Sequence, residues 1–250
     1  MKFSQYIQES INDKSIMKAV ILGGLSASGK STILRTVMMD GSIPIGISNT
    51  DKWTEYYHGG EWSKIGGQVK HLSNKVMQNY INSLRPIYID TVSGNMTIFR
   101  RRIDILKNLG YDVRMVFVKT GKRTAIKRLL NRNKSQERQV DPKFTRDTFD
   151  KFYCKGEYKS KGCMDSISQF TKILDEPPII IDTNDNMLID NVIKKVHNKV
   201  VGYLKSPIKN PKGKLLIDFM RKEGYKYYSE VPEEWLVGNG FPRPKDVSYY

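Results

Sequence analysis

Eight residues near the amino terminus constrain this chain more than any others. They read Gly24-Leu25-Ser26-Ala27-Ser28-Gly29-Lys30-Ser31, which is the pattern G-x-x-x-x-G-K-S. The apolar run at residues 19–22 precedes them, and a helix-forming stretch that begins with Thr32 follows. A strand, a glycine-rich loop and a helix in this order form a phosphate-binding P-loop, in which backbone N–H groups and the helix N-terminus face a polyphosphate. The sequence therefore predicts nucleotide binding.

The positions of the loop have distinct expected contacts. Lys30 is expected to neutralise the β- and γ-phosphates of ATP, and the Ser31 hydroxyl to ligate the Mg²⁺ that bridges the same two phosphates. The residues of this stretch predicted to hold the nucleotide are Gly24, Ser26, Ala27, Ser28, Gly29, Lys30, Ser31 and Thr32.

Five short apolar runs alternate with helical patterns along the chain. The predicted strands are residues 18–23, 43–48, 86–90, 112–119 and 178–182. The predicted helices are residues 30–39, 63–84, 96–109, 123–132, 142–153, 164–174, 187–204 and 214–222. Strands that alternate with helices in this way form a parallel sheet covered on both faces. We therefore expect an α/β fold, namely a P-loop NTPase three-layer sandwich with a five-stranded parallel sheet.

In such a sheet the ligand-binding residues follow the carboxyl ends of the strands. Asp51 follows the second predicted strand, where a carboxylate would face the γ-phosphate and accept a proton from an attacking hydroxyl. The alternative is that Asp51 caps the next helix. Asp90 ends the third strand and is expected to hold Mg²⁺ together with Ser31. The alternative for Asp90 is an ordinary turn at a strand end. The polar triplets Asn49-Thr50-Asp51 and Asp182-Thr183-Asn184 follow the second and fifth strands and are expected at the same edge of the sheet.

Residues 123–142 have the composition of a mobile helical lid. Arginines fall on the predicted helix and in the polar loop after it, at Arg128, Arg132 and Arg138. Arginines delivered by a closing lid can bind phosphate oxygens in a fork and offset the charge of the transferring group. We expect Arg132 and Arg138 to act in catalysis and Arg128 to bind the nucleotide. A solvated basic surface is the alternative for all three.

These residues resemble the zeta-toxin family of P-loop kinases, which is close to the polynucleotide-kinase-like group. The resemblance covers about residues 18–182. It is carried by Ile89-Asp90-Thr91, by the stretch from Arg100 to Val113, by Val116-Phe117-Val118, by the lid helix and by Arg138-Gln139-Val140-Asp141-Pro142.

The resemblance implies a kinase that uses ATP and Mg²⁺. By similarity, Lys30 and Ser31 bind MgATP, Asp51 is the base, and Arg132 and Arg138 are lid arginines. Zeta toxins usually carry an acidic pair followed by Phe-Arg after the second strand, whereas Asp51 here stands in Asn-Thr-Asp-Lys-Trp. The family's contacts with its acceptor sugar are therefore not carried over to this chain.

The charge of the chain is unevenly distributed. The net charge is +16, and residues 100–161 contain 19 Lys and Arg against 7 Asp and Glu. This segment is either a solvated helical surface or a contact for nucleic acid. No apolar stretch approaches the ~20 residues that cross a bilayer, and the N-terminus lacks the layout of a secretory signal. We expect a protein that works in a cytoplasm, with no membrane contact.

The two ends of the chain differ from the predicted kinase domain at residues 17–204. Residues 1–16 form a predicted amphipathic segment, and Ile7-Gln8-Glu9 resembles the cleavage site of peptides that target proteins to the heads of large tailed phages. Packaging in a phage head and a plain packing helix both remain open. Residues 205–250 form a basic, aromatic extension. Its rings either stack nucleobases or pack on the domain.

The sequence thus predicts a kinase that moves the γ-phosphate of ATP to a hydroxyl. The acceptor is a nucleotide-sugar or another small metabolite by resemblance. The basic segment favours a nucleic-acid end or a modified base instead. A non-catalytic nucleotide-binding module is the third hypothesis, and the sequence sets no oligomeric state.

Overall fold

The computed structural model describes residues 11, 13, 15–38, 43, 45–49, 62–91, 96–135, 140–152, 166–184, 190–243 and 246–247. The strands are β1 (Lys18–Gly24), β2 (Gly46–Ser48), β3 (Ile87–Asp90), β4 (Asp112–Lys119) and β5 (Ile179–Asp182). The helices are α1 (Lys30–Met38), α2 (Trp62–Asn82), α3 (Met96–Asn108), α4 (Lys122–Ser135), α5 (Pro142–Phe152), α6 (Ser166–Ile173), α7 (Asp190–Leu204), α8 (Pro211–Glu223) and α9 (Glu233–Gly238).

The five strands form one parallel sheet in the order β2-β3-β1-β4-β5. Strand β1 lies in the centre, and all seven of its residues are buried. Leu22 of β1 pairs with Asp90 of β3 on one side and with Val116 of β4 on the other. The loop after β1 therefore leaves the sheet between two neighbouring strands, at the point where the chain changes its direction of winding. Ligands bind at such points in parallel sheets.

Helices cover both faces of the sheet. Because successive side chains of a strand point to opposite faces, Ile21 joins one apolar core and Leu22 the other. Phe99 of α3 and Phe170 of α6 meet in the first core, with ring centroids 4.6 Å apart. Residues of α1 and α7 fill the second core. The expected α/β three-layer sandwich with a five-stranded parallel sheet is confirmed.

The carboxyl-terminal segment packs on the first of these cores. Leu216 and Met220 of α8 are buried there, and Tyr228 and Phe241 are only 1% and 4% exposed. Trp235 of α9 stacks on Phe219 of α8, with ring centroids 4.0 Å apart. Of the two alternatives for the aromatic extension, packing on the domain therefore describes its buried rings.

Several observed elements differ from the expected ones, among them α4, which runs to Ser135 rather than to residue 132. Strand β2 is shorter than residues 43–48. Helix α8 begins at Pro211 rather than at residue 214, because the Asn210 side chain accepts a hydrogen bond from the Lys212 N–H and a proline at the first helical position needs no N–H partner. Helix α9 was not expected. Among the described residues, no helix has the length and apolar character needed to cross a membrane.

Candidate functional site

The loop between β1 and α1 closes tightly against the sheet. Gly24 has a φ of +146°, and a Cβ atom at this position would lie 2.5 Å from the Val118 carbonyl oxygen of β4. Only glycine fits both the backbone conformation and the space. Ala27 and Gly29 follow with positive φ values of 60° and 96°. The chain therefore curls over the end of β1 before α1 begins, as the sequence pattern predicts.

The side chains of this loop provide donors for an anion. The Lys30 Nζ lies 3.1 Å from the Gly24 carbonyl oxygen and 2.8 Å from that of Leu25, so the side chain folds over the loop. The Ser28 hydroxyl is buried without a hydrogen-bond partner among the described residues. Ser31 and Thr32 are exposed in the first turn of α1, and Ser26 is half-buried. A phosphate chain fits this set of donors, because it needs several N–H, O–H and ammonium groups at once.

The ends of β2 and β3 bring polar groups beside this loop. Asn49, one residue after β2, donates its amide to the Asp90 carboxylate at 3.2 Å. The N–H of Thr91 bonds to the Leu22 carbonyl at 3.1 Å, which fixes the end of β3 against the end of β1. Asp90 is half-buried there. Asp51, the predicted base, lies outside the described residues, two positions after Asn49 in the sequence.

The ends of β4 and β5 meet on the other side of the loop. Thr183, one residue after β5, is fully buried, and its hydroxyl lies 2.8 Å from the Ser28 carbonyl oxygen. Arg128 of α4 donates to the Thr183 carbonyl at 2.7 Å and to the Thr183 hydroxyl at 3.3 Å. The guanidinium of Arg128 is therefore held at the edge of the P-loop through Thr183. Its contact with phosphate stays a prediction.

Of the two arginines that the sequence assigns to catalysis in the predicted lid, only one lies among the described residues. Arg132 is half-buried on α4, one turn after Arg128. Arg138 lies outside the described residues. Asn133 of α4 binds the backbone of Val140. Its amide donates to the Val140 carbonyl at 2.9 Å, and its oxygen accepts from the Val140 N–H at 3.3 Å. One side chain thus ties the end of α4 to the start of the segment that leads into α5.

Sequence reasoning missed the roles of Asn49, Thr183 and Asn133. The first and second stand in the polar triplets that follow strands, so their position at the rim was predicted but not their partners. Asn133 carried no signal in the sequence. A polar residue in a polar stretch gives no indication of the backbone group that it will bind 7 residues later.

The described residues contain no group of three or more His, Cys, Asp or Glu side chains placed to bind a metal ion. A divalent cation held by Asp90 and Ser31 would therefore depend on the phosphates of a nucleotide for its remaining ligands. Mg²⁺ fits this arrangement, because it is usually bound through one or two protein oxygens together with substrate phosphates and water.

Residues 54–158 match the model of the Zeta toxin family. The resemblance to the zeta toxins is confirmed. The matched segment begins after the P-loop. The P-loop and the family match are therefore separate indications of a kinase, from different parts of the chain. No curated protein matches the sequence.

Several solved structures are similar to this chain. A protein from Chloroflexus aurantiacus described as a kinase matches with a TM-score of 0.51 at 16% identity, over 73% of this chain and 98% of its own. A structure from the PezAT chromosomal toxin-antitoxin system of Streptococcus pneumoniae matches with a TM-score of 0.46 at 15% identity, over 80% and 91%. Shikimate kinase from Bacteroides thetaiotaomicron matches with a TM-score of 0.44 at 9% identity, over 73% and 98%. At this identity the first match shows a shared fold.

Proposed function

We propose that this protein is a zeta-toxin-like kinase, which transfers the γ-phosphate of ATP to a hydroxyl group. The observation that carries the proposal is the pairing of Leu22 with Asp90, which brings a carboxylate beside the end of β1, where the P-loop and Lys30 begin the phosphate site. A P-loop alone serves many nucleotide-binding proteins. A P-loop with an adjacent strand-end carboxylate and an arginine-bearing helix favours phosphate transfer.

In the proposed reaction, Lys30 neutralises charge on the β- and γ-phosphates, while the backbone N–H groups of the loop bind phosphate oxygens. Ser31 and Asp90 would hold Mg²⁺, which supplies further charge neutralisation when it is bound. The acceptor oxygen forms a bond to the γ-phosphorus as the bond from that phosphorus to the bridging oxygen breaks, and ADP leaves.

Asp51 is the proposed general base. It would accept the proton of the acceptor hydroxyl as the new P–O bond forms. Arg132 and Arg138 would bind the transferring group from the lid side and exclude water when the lid closes. Arg132 lies on α4 one helical turn after Arg128, which is held at the edge of the P-loop, and this position supports its assignment.

For the acceptor, the resemblance to the zeta toxins favours a nucleotide-sugar or another small metabolite. The second candidate is a hydroxyl of a nucleic acid, and the outer face of α4 supports it. Helix α4 contains six basic residues and no acidic one. Arg128 and Arg132 are half-buried, whereas Arg123, Lys127 and Lys134 are exposed and form no ion pair with a described residue. These three cations lie along about 16 Å of one helix face and are suited to a chain of phosphates.

The acceptor class is tested by incubating the protein with γ-labelled ATP and separate pools of nucleotide-sugars, other small metabolites, oligonucleotides and protein. Label in a small-molecule pool supports the first candidate. Label in the oligonucleotides that falls steeply with added salt, and falls again in Arg123→Glu, supports the second. If no pool is labelled although ATP binds, the protein is a nucleotide-binding module and the kinase proposal fails.

The variant Asp51→Asn tests the chemistry. It should lower phosphate transfer by about 10²- to 10⁴-fold and leave ATP binding within a few-fold of the wild type, since the amide cannot accept the proton. Unchanged turnover would remove Asp51 from the proposed role.

A further inference from the structure

We infer that Thr183 is a positioning residue of the phosphate site, which aims the Gly29 N–H into the P-loop and holds Arg128 at its edge. The inference rests on the proposed function, because it assigns a role within the same nucleotide site.

The Thr183 hydroxyl has four polar neighbours. It lies 2.8 Å from the Ser28 carbonyl oxygen, 3.2 Å from the Lys119 carbonyl oxygen and 3.3 Å from a guanidinium nitrogen of Arg128, and it also contacts the Thr120 hydroxyl. A threonine hydroxyl has one proton to donate and two lone pairs. The proton goes to the nearest carbonyl, that of Ser28, and a lone pair accepts from the Arg128 guanidinium.

The bond to Ser28 has a consequence for the next residue. The Ser28 carbonyl and the Gly29 N–H belong to one peptide group, which is planar and trans, so the two bonds point in opposite directions. Thr183 holds the carbonyl toward β5, with the Thr120 hydroxyl as a second donor at 3.4 Å. The Gly29 N–H is thereby turned away from β5 and toward the concave side of the loop, where a phosphate would lie.

The backbone of the neighbouring residues is fixed as well. The Thr183 N–H bonds to the Lys119 carbonyl at 2.9 Å, so the end of β5 cannot shift relative to β4 without breaking this pair. The Thr183 methyl carbon lies 4.0 Å from the position that a Cβ of Gly29 would take. Because the residue is fully buried, water cannot replace its hydroxyl as a donor.

The same residue also determines where Arg128 lies. Two guanidinium nitrogens bind the carbonyl and the hydroxyl of Thr183 at 2.7 and 3.3 Å. The paired donors of arginine fit two acceptors at once and fix the plane of the group. Thr183→Val would keep the contact between Arg128 and the Thr183 carbonyl and would lose every contact of the hydroxyl. The hydroxyl therefore couples the lid helix α4 to the P-loop.

The test measures the affinities of the full-length protein for ATP and for inorganic tripolyphosphate, both with Mg²⁺, by calorimetry. Thr183→Val should weaken both ligands by a similar factor of about 10, since one phosphate-facing N–H is no longer aimed. Thr183→Ser, which restores the hydroxyl, should bind both within about twofold of the wild type. Thr148→Val is the matched control, because it removes another buried threonine hydroxyl, one bonded to the Phe144 carbonyl within α5.

Each outcome separates this inference from the proposed function. If the wild type binds neither ligand, the nucleotide site itself fails. If the wild type binds and Thr183→Val binds equally, or Thr183→Ser is as weak as Thr183→Val, the inference is overturned. Loss of ATP affinity with unchanged tripolyphosphate affinity also overturns it, since Thr183 would then act away from the phosphates.

A measurement on the wild type keeps the inference testable if Thr183→Val does not fold. In protein labelled with ¹⁵N-glycine, tripolyphosphate should shift the Gly29 amide proton strongly, because this N–H is expected to donate to a phosphate oxygen. A Gly29 amide that does not move at saturating tripolyphosphate would overturn the inference.

Discussion

The amino ends of the strands lie at one edge of the sheet and the carboxyl ends at the other, and the lysines at these two edges have different partners. At the amino edge, Lys18 is fully buried and its Nζ lies 2.6 Å from the Asp112 carboxylate. At the carboxyl edge, Lys30 is half-buried and bonds to the carbonyls of its own loop. Lys18 therefore joins two parts of the sheet through an ion pair, whereas Lys30 contacts the backbone of the P-loop.

The amino edge binds the start of the carboxyl-terminal segment through hydrogen bonds. Lys18 also donates to the Pro207 carbonyl at 3.0 Å, and the Asp112 carboxylate accepts from the backbone N–H groups of Lys209 and Asn210 at the start of α8. A carboxylate at a helix N-terminus is favourable. These bonds join β1 and β4 to the start of α8, so this edge holds the carboxyl-terminal segment in place.

The carboxyl edge instead combines neutral hydrogen bonds with cationic side chains. Thr183 and Asn49 fix the backbone and the carboxylate of the site without adding charge. The comparison teaches that this protein places a buried ion pair where distant segments of the chain are joined, and a lysine folded over a glycine-rich loop where it is proposed to bind phosphate. This is the arrangement expected when electrostatic stabilisation is built before the substrate binds.

The largest expected effect comes from removing the ion pair between Lys18 and Asp112 at the amino edge. Asp112→Ala should lower the free energy of unfolding by about 3–5 kcal/mol, because it leaves Lys18 charged and buried without its carboxylate. Urea denaturation measures the change. Asp175→Ala is the matched control, since its pair with Lys107 is exposed and should contribute less than about 1 kcal/mol. Equal effects of the two variants would contradict the comparison.

A smaller loss is expected where the carboxyl-terminal segment touches the domain most closely. A Cβ atom on Gly213 of α8 would lie 2.2 Å from the Gly110 carbonyl oxygen. Gly213→Ala should therefore lower the free energy of unfolding by about 1–3 kcal/mol through overpacking. Gly202→Ala, at an exposed position of α7 with nothing within 4 Å, should instead raise it by about 0.5–1 kcal/mol. Thermal unfolding of both variants checks the opposite signs.

A change at the carboxyl edge should alter activity more than stability. Asn133→Ala removes both bonds to the Val140 backbone, and Arg138 stands between these two residues in the sequence. We expect a loss of about 1 kcal/mol in unfolding free energy and a fall of about 10-fold in the rate of phosphate transfer. Leu130→Ala, on the exposed side of α4, should keep the wild-type rate. A wild-type rate in Asn133→Ala would show that this tie is not needed.

The smallest expected effect is a loss of stability at acid pH that depends on Glu176. A hydrogen bond from Lys209, followed by the nearby charge of Arg114, lowers the pKa of the Glu176 carboxyl below its ordinary value of 4.5. A lowered pKa gives stability that is present above pH 4.5 and is lost as the pH falls through the pKa of the folded protein. Glu176→Gln should be less stable than the wild type by under about 1 kcal/mol at pH 7, and the difference should vanish in acid. A difference that grows as the pH falls would contradict this sign.

Local patterns were enough to predict the sheet and the P-loop. The strands have continuous apolar runs, and Gly24, Gly29 and Lys30 stand at fixed spacing, so each was found from the sequence alone. The sequence predicts the start of helix α8 too late, because a proline at position 211 indicates a break, although proline also suits the first position of a helix.

Contacts between distant residues had no such signal. Lys18 and Asp112 are 94 residues apart, and Thr183 lies 155 residues after Ser28. Nothing in the local sequence indicates that these side chains meet, since their proximity follows from the order of the strands. The rim position of Thr183 could be predicted, but its bond to the P-loop could not.

The proposed kinase activity depends most on phosphate binding by Lys30 at the carboxyl edge. Calorimetric titration with ATP and Mg²⁺ tests this claim directly. The wild type should bind one ATP per chain, and Lys30→Ala should weaken that binding by about 10- to 100-fold, because a charge-assisted hydrogen bond to the phosphates is lost. Binding of equal strength in the two proteins would contradict the account.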